Sequence, residues 1–177
     1  VMTTKKNIAV YGGDPIFHNL TEEEQKTVNY TVPFAAILVQ KWGYGFYHFV
    51  NEMLPKILRI YEYNSKIPIV TFYNDTFIKS ILNYIGVTNP IIPYDGRTAI
   101  IVKCAITVTD TASGNPSPND IDIIRKYISC NETNKDVIIL IYRKEQLRTI
   151  SNFDEMYKGL KSRFTNEKFV IFGSLPF

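Results

Sequence analysis

The chain has 177 residues, 45% of them hydrophobic and 14% aromatic, with a formal net charge of +3. This is the composition of a globular protein with a core, in one domain or one domain and part of another. The charge is too small and too evenly spread for a nucleic-acid or membrane-surface binder, and no apolar run approaches the ~18 residues of a membrane span. Val1-Met2-Thr3-Thr4-Lys5-Lys6 carries no hydrophobic leader core, and Ser174-Leu175-Pro176-Phe177 stops just after a predicted strand. The chain is therefore expected to be a fragment lacking a leader and a C-terminal continuation.

Ile8-Ala9-Val10-Tyr11 is a short apolar run closed by Gly12-Gly13, and Thr21-Glu22-Glu23-Glu24 reads as a helix start. Phe34 to Val39 predicts a strand, followed by a glycine-bearing turn, Trp42-Gly43-Tyr44-Gly45, and a helix from about Phe46 to Tyr63. Ile67 to Tyr73 reads as a strand. Asp75 is placed to cap a helix that runs to Ile85 and ends at Gly86. A short extended piece, Ile91-Ile92, precedes a long β-prone run from Thr98 to Thr109. Ser117 with Pro118 makes a helix start, N-cap then first turn, continued by Ile121, Ile124, Arg125 and Ile128.

Cys130 to Asp136 is polar and marks a boundary, dividing the chain into 1–130 and 131–177. Val137 to Ile141 has the uninterrupted apolar character of a strand buried on both faces of a parallel sheet. A helix from about Phe153 to Phe164 and a second strand, Phe169 to Phe172, complete a β-α-β unit. Cys104 and Cys130 are either a disulfide or two buried thiols. Four glycosylation acceptors, at Asn19, Asn29, Asn74 and Asn131, favour a secretory glycoprotein over chance.

On the helix after Gly45, a uniform 3.6-residue period gathers His48, Asn51, Glu52, Pro55, Arg59 and Glu62 on one side. His48 and Glu52 stack one turn apart, so the carboxylate can orient the imidazole and either group can take a proton from a hydroxyl. Pro55 has no N–H for the carbonyl of Asn51, which adds an acceptor to the same side. Gly43-x-Gly45 is not a dinucleotide fingerprint, because His48 stands where the third glycine permits close strand–helix approach. His48 and Glu52 would give a metal two ligands without an obvious third, and Asp120-Ile121-Asp122 is explained by its place in a helix first turn. Arg143 and Arg148 follow a strand and precede a helix, where open α/β sheets place ligands and where two guanidiniums can clamp a diphosphate.

Tyr47-His48-Phe49-Val50-Asn51-Glu52-Met53-Leu54-Pro55-Lys56 resembles the aromatic-His-aromatic-x-x-Glu-x-Leu-Pro-basic block of glycosyltransferase family 61. Asn115-Pro116-Ser117-Pro118 and the segment Arg143, Arg148-x-Ile150-x-Asn152, Glu155 are similar to two looser segments of that family. In the latter Tyr142 and Thr149 depart from the usual Ser and basic residue. The resemblance implies an α/β protein of GT-B architecture: a Rossmann-like N-terminal, acceptor-side domain plus the opening β-α-β of a truncated nucleotide-sugar domain. It further implies inverting, metal-independent transfer of a sugar of the xylose or N-acetylglucosamine class to a glycan or protein hydroxyl. The nucleotide sugar serves as donor substrate, with no other cofactor. His48 and Glu52 become the catalytic pair, and Gly43, Gly45, Asn51, Arg143 and Arg148 the substrate contacts. The implied setting is the secretory lumen, Golgi or ER, with membrane attachment through a type II leader outside this chain. The rival reading is a non-catalytic secreted glycoprotein or binding module that retains the fold.

Overall fold

The computed structural model describes residues 2–11, 14–16, 22–26, 28–73, 77–97, 99–108, 114–128, 137–141 and 150–172. The chain forms two compact units, Val1–Ser129 and Cys130–Phe177.

The first unit is a mixed α/β structure built on a six-stranded sheet. Its strands are β1 (Met2–Tyr11), β2 (Asp14–Ile16), β3 (Val28–Ile37), β4 (Ile69–Phe72), β5 (Ile91–Tyr94) and β6 (Ala99–Val108). They lie in the order β2-β1-β6-β3-β4-β5. The four strands from β6 to β5 run parallel, with Ala35 opposite Ala105, Val70 beside Ile37, and Ile69 opposite Ile91. β1 runs antiparallel to both β2 and β6. β1 extends well beyond the apolar run Ile8–Tyr11, because polar Thr3 to Lys6 continue the pairing along β6.

Two β-α-β units carry the parallel half. Between β3 and β4 the helix predicted from Phe46 to Tyr63 is present as α2 (Phe46–His48), a wider π-helical turn (Phe49–Met53) and α3 (Leu54–Tyr63). The N–H of Leu54 reaches back five residues to the carbonyl of Phe49. Pro55, buried at the start of α3, accounts for the widening: it donates no N–H, and its ring would press on the carbonyl four residues earlier. α4 (Ile78–Ile85) joins β4 to β5 and ends at Gly86, whose φ of 81° suits a residue without Cβ. Asp75, expected to cap it, lies outside the described residues.

Leu54, Ile57, Leu58 and Ile60 of α3 and Ile78 and Leu82 of α4 are buried. They pack with Ala35, Ile37, Ile69 and Val70 of the sheet as one core. Each fully buried Leu or Ile contributes roughly 1.5–3 kcal/mol. α5 (Pro118–Tyr127) is capped as the sequence predicts: Ser117 Oγ accepts from the N–H of Asp120, and the Asp120 carboxylate accepts from the N–H of Ser117.

In the second unit β7 (Val137–Ile141) and β8 (Lys168–Phe172) pair in parallel, with α6 (Phe153–Arg163) between them in sequence. Phe153 stacks on Tyr157, which meets Phe169 edge-on. The expectation that Val137–Ile141 is buried on both faces is corrected. Val137, Ile139 and Ile141 are exposed, and Ile139 keeps 61% of its surface. Among the described residues, this two-stranded sheet has a single helix to cover it. Cys104 is a half-buried free thiol on β6, and Cys130 is outside the described residues.

Candidate functional site

The turn from β3 into α2 is set by two glycines. Gly43 donates its N–H to the carbonyl of Gln40 at 2.9 Å, and Gly45 donates to that of Trp42 at 2.8 Å. A Cβ on Gly43 would lie 3.0 Å from the Gln40 carbonyl oxygen and 3.3 Å from both Met53 Cγ and Phe72 Cδ2. Close packing therefore accounts for glycine at 43, which is buried. The carbonyl of Gly45 accepts from the N–H of Phe49 at 2.8 Å and starts the helix that carries His48.

His48 and Glu52 come together as the spacing predicts, with His48 Nδ1 2.9 Å from Glu52 Oε1. Their surroundings differ from the sequence picture of one open polar side. Glu52 has no exposed surface, and Pro55 is buried as well. The π-helical turn accounts for Pro55, since one extra residue rotates the remainder of the helix by roughly 100° against a uniform 3.6-residue pattern. The rest comes from α5 and the segment before it, which cover that side. Arg59 Nη1 pairs with buried Asp120 Oδ1 at 2.6 Å, and Glu62 accepts from Lys126 Nζ at 2.6 Å and from Tyr127 Oη at 3.1 Å.

Donors from separate parts of the described chain meet the buried carboxylate. The N–H of Gly114 donates to Oε1 at 2.7 Å, Gln40 Nε2 donates to Oε2, and His48 Nδ1 supplies another. Gln40 Oε1 in turn accepts from Lys56 Nζ at 2.9 Å. Burial pushes the Lys56 ammonium below its ordinary value, opposed by the nearby Glu52 and Asp120 carboxylates. An ionised Glu52 accepts only, so the network assigns the proton of neutral His48 to Nδ1 and leaves the lone pair on Nε2. The His48 side chain is 30% exposed, so a solvent-borne hydroxyl can approach it.

Asn51, expected as a substrate contact, is half-buried and donates through Nδ2 to the carbonyl of Tyr47 at 3.0 Å. Arg143 and Arg148 lie outside the described residues. Asp120 and Asp122 do not converge: Asp120 is held by Ser117 and Arg59, while Asp122 is exposed 4.0 Å from Arg125. Among the described residues no three His, Cys, Asp or Glu side chains gather as a metal ion would need, and no helix is long and apolar enough to cross a membrane.

Gln40, Lys56 and Gly114 were not singled out by sequence reasoning. Gln40 precedes the conspicuous turn, and Gly114 contributes only main-chain groups, its N–H to Glu52 and its carbonyl to Tyr47 Oη at 3.3 Å, which no residue pattern advertises. Lys56 stands inside the block that attracted attention, but its neighbour Gln40 is sixteen positions away.

Fold and site together define an α/β domain with a carboxylate-oriented imidazole beside a glycine turn, an arrangement suited to taking a proton from a hydroxyl. Residues 46–174 match the family model Glycosyltransferase 61, and the chain belongs to that family of sugar-transferring enzymes. Neither the curated proteins nor the solved structures contain a match to it.

Proposed function

We propose that the protein transfers a sugar from a nucleotide-sugar donor to a hydroxyl of a glycan or protein acceptor with inversion, using His48 as base and Glu52 to orient it. Nε2 of His48 takes the proton of the acceptor hydroxyl as its oxygen bonds to the anomeric carbon. The bond from that carbon to the diphosphate breaks on the opposite face, and the electron pair leaves with the nucleoside diphosphate. Glu52 holds the imidazole in the required tautomer and offsets the positive charge it acquires. The observation that carries this reading is the pairing of a fully buried carboxylate, held also by the Gly114 N–H and Gln40 Nε2, with a partly exposed histidine at 2.9 Å.

The reading extends to a GT-B architecture and to Arg143 and Arg148 as diphosphate contacts, on their sequence positions alone. It includes metal-independent chemistry, a donor of the xylose or N-acetylglucosamine class, and residence in the secretory lumen with glycosylated sequons and a type II anchor. Donor binding and transfer are measured separately in the complete protein. A saturating nucleotide sugar at 100 times its Kd stabilises the folded state by about 2.7 kcal/mol. His48→Gln is expected to keep that stabilisation and lose about 10²–10⁴ of turnover. A variant that turned over at the wild-type rate would remove His48 from the mechanism, and a protein stabilised by no nucleotide sugar would favour the non-catalytic reading.

A further inference from the structure

The turn ahead of the His48 helix also forms one wall of an open cavity of about 340 Å³, bordered by Lys41, Trp42, Tyr44, Phe72, Asp95 and Arg97. Its volume is at the small end of the ~300–1,000 Å³ typical of ligand pockets. Trp42 is the one non-glycine residue with positive φ, 70°, among the described residues. Bulky side chains rarely adopt that backbone, whereas Gly or Asn holds it at lower cost. Burial does not offset the strain, because the Trp42 side chain remains 51% exposed. A strained, half-exposed tryptophan at a cavity rim has no evident role in folding, the circumstance in which strain points to function.

Tyr44 is equally exposed at 51%, and its ring is propped edge-on by Phe72 at 5.8 Å. Phe72 is itself buried against Tyr94 at 5.4 Å. The two exposed rings, 6.2 Å apart and inclined by 53°, thus rest on a fixed base. Polar groups border them. Asp95 Oδ1 accepts the N–H of Arg97 at 2.8 Å in a turn closed by Gly96 at φ 79°. The Lys41 ammonium lies 5.6 Å from the centre of the Trp42 ring. An acceptor and donors on one rim suit hydroxyl groups, each of which both gives and takes a hydrogen bond.

We propose that this cavity is a saccharide subsite. Trp42 and Tyr44 receive the apolar C–H face of a pyranose, Asp95, Arg97 and Lys41 bond its hydroxyls, and the sugar so held belongs to the glycan acceptor. Assigning the sugar to the acceptor rests on the transferase reading above; the binding of saccharide does not require that transfer occur.

Trp42 is the single tryptophan of the chain, so its emission reports on this cavity without labelling. The full chain is titrated with xylobiose, N,N′-diacetylchitobiose and lactose, and separately with uridine diphosphate. At least one disaccharide is expected to shift the emission saturably in the millimolar range, and Tyr44→Ala and Arg97→Ala, which keep the reporter, to bind about tenfold more weakly. Trp42→Gly is expected to melt no lower than wild type, since glycine accepts the positive φ, and to give no saccharide heat by calorimetry. No response to any disaccharide overturns the proposal. So do undiminished binding in Tyr44→Ala and Arg97→Ala, undiminished calorimetric binding in Trp42→Gly, and saturation by uridine diphosphate alone. His48→Gln keeps the titration unchanged if the subsite is separate from the base. Loss of transfer with saccharide binding intact therefore tests the catalytic reading alone, and transfer without saccharide binding overturns the subsite alone.

Discussion

Replacing Glu52 with Gln changes one atom in a group surrounded by donors, and its consequences depend on where the new amide nitrogen goes. Placed at the Oε2 position, it faces Gln40 Nε2. Gln40 cannot turn its amide over without presenting NH₂ to Lys56 Nζ, which its own Oε1 now accepts at 2.9 Å. Placed at the Oε1 position, the new nitrogen faces the main-chain N–H of Gly114, a donor that cannot change, now 2.7 Å from the oxygen. There it can be satisfied on the histidine side only if His48 moves its proton to Nε2, which abolishes the lone pair required of a base. Either arrangement leaves a buried donor against a donor, at a cost of about 1–3 kcal/mol. Turnover is expected to fall by about 10²–10⁴, beyond what that loss of stability explains in a protein still folded at the assay temperature. Urea denaturation gives the first quantity, and initial rates with nucleotide sugar and acceptor give the second. Turnover within about tenfold of wild type would show that Glu52 does not set the state of the base.

The Arg59–Asp120 pair offers a stability test away from the imidazole. Asp120→Ala removes a buried partner and the acceptor that closes the α5 cap, with an expected loss of about 3 kcal/mol once the partial exposure of Arg59 is allowed for; a loss below ~1 kcal/mol in urea would mean the pair contributes little. Burial alone would raise the Asp120 carboxyl, but the Ser117 hydroxyl and N–H and the Arg59 guanidinium outweigh it and hold the group below its ordinary value. A depressed carboxylate contributes stability in full above the ordinary Asp range, near pH ~4, and loses it as pH falls toward the folded value. Asp120→Asn should therefore flatten the acid limb of the stability curve, and an unchanged limb would refute the assignment. Gly43→Ala meets atoms at 3.0 and 3.3 Å and is expected to cost about 1–3 kcal/mol. Gly86→Ala meets open space and pays only for positive φ, about 1 kcal/mol. Of the two, only Gly43→Ala disturbs Gln40 and so should also lower turnover.

Local signals survived translation into structure where the chemistry is local. Ser117-Pro118 predicts the start of α5 because a hydroxyl cap and a proline without N–H act within one turn, and Gly86 predicts the end of α4 because few other residues accept its backbone. His48 and Glu52 meet because four residues make about one helical turn. Exposure was not legible in the same way. Val137 to Ile141 read as an enclosed strand, but whether a second layer covers a sheet is decided by other elements, and among the described residues none covers Val137, Ile139 and Ile141. Polar character misled in the opposite sense at fully buried Glu52 and half-buried Arg59, whose partners Gly114 and Asp120 lie about sixty positions downstream.

Pro55 links these two outcomes. A proline inside a helix is ordinarily an interruption, yet here the widened turn before it keeps the helix continuous while resetting its face. Ahead of the proline stand an acid with no exposed surface, three positions before it, and a histidine that keeps some, seven positions before it. Burial raises the cost of leaving the carboxylate unmatched, which explains why Gln40 and the Gly114 N–H close on it from separate parts of the chain. The same closure fixes which imidazole nitrogen bears the proton. The proline of the Tyr47–Lys56 block thus shapes the helix that carries both His48 and Glu52.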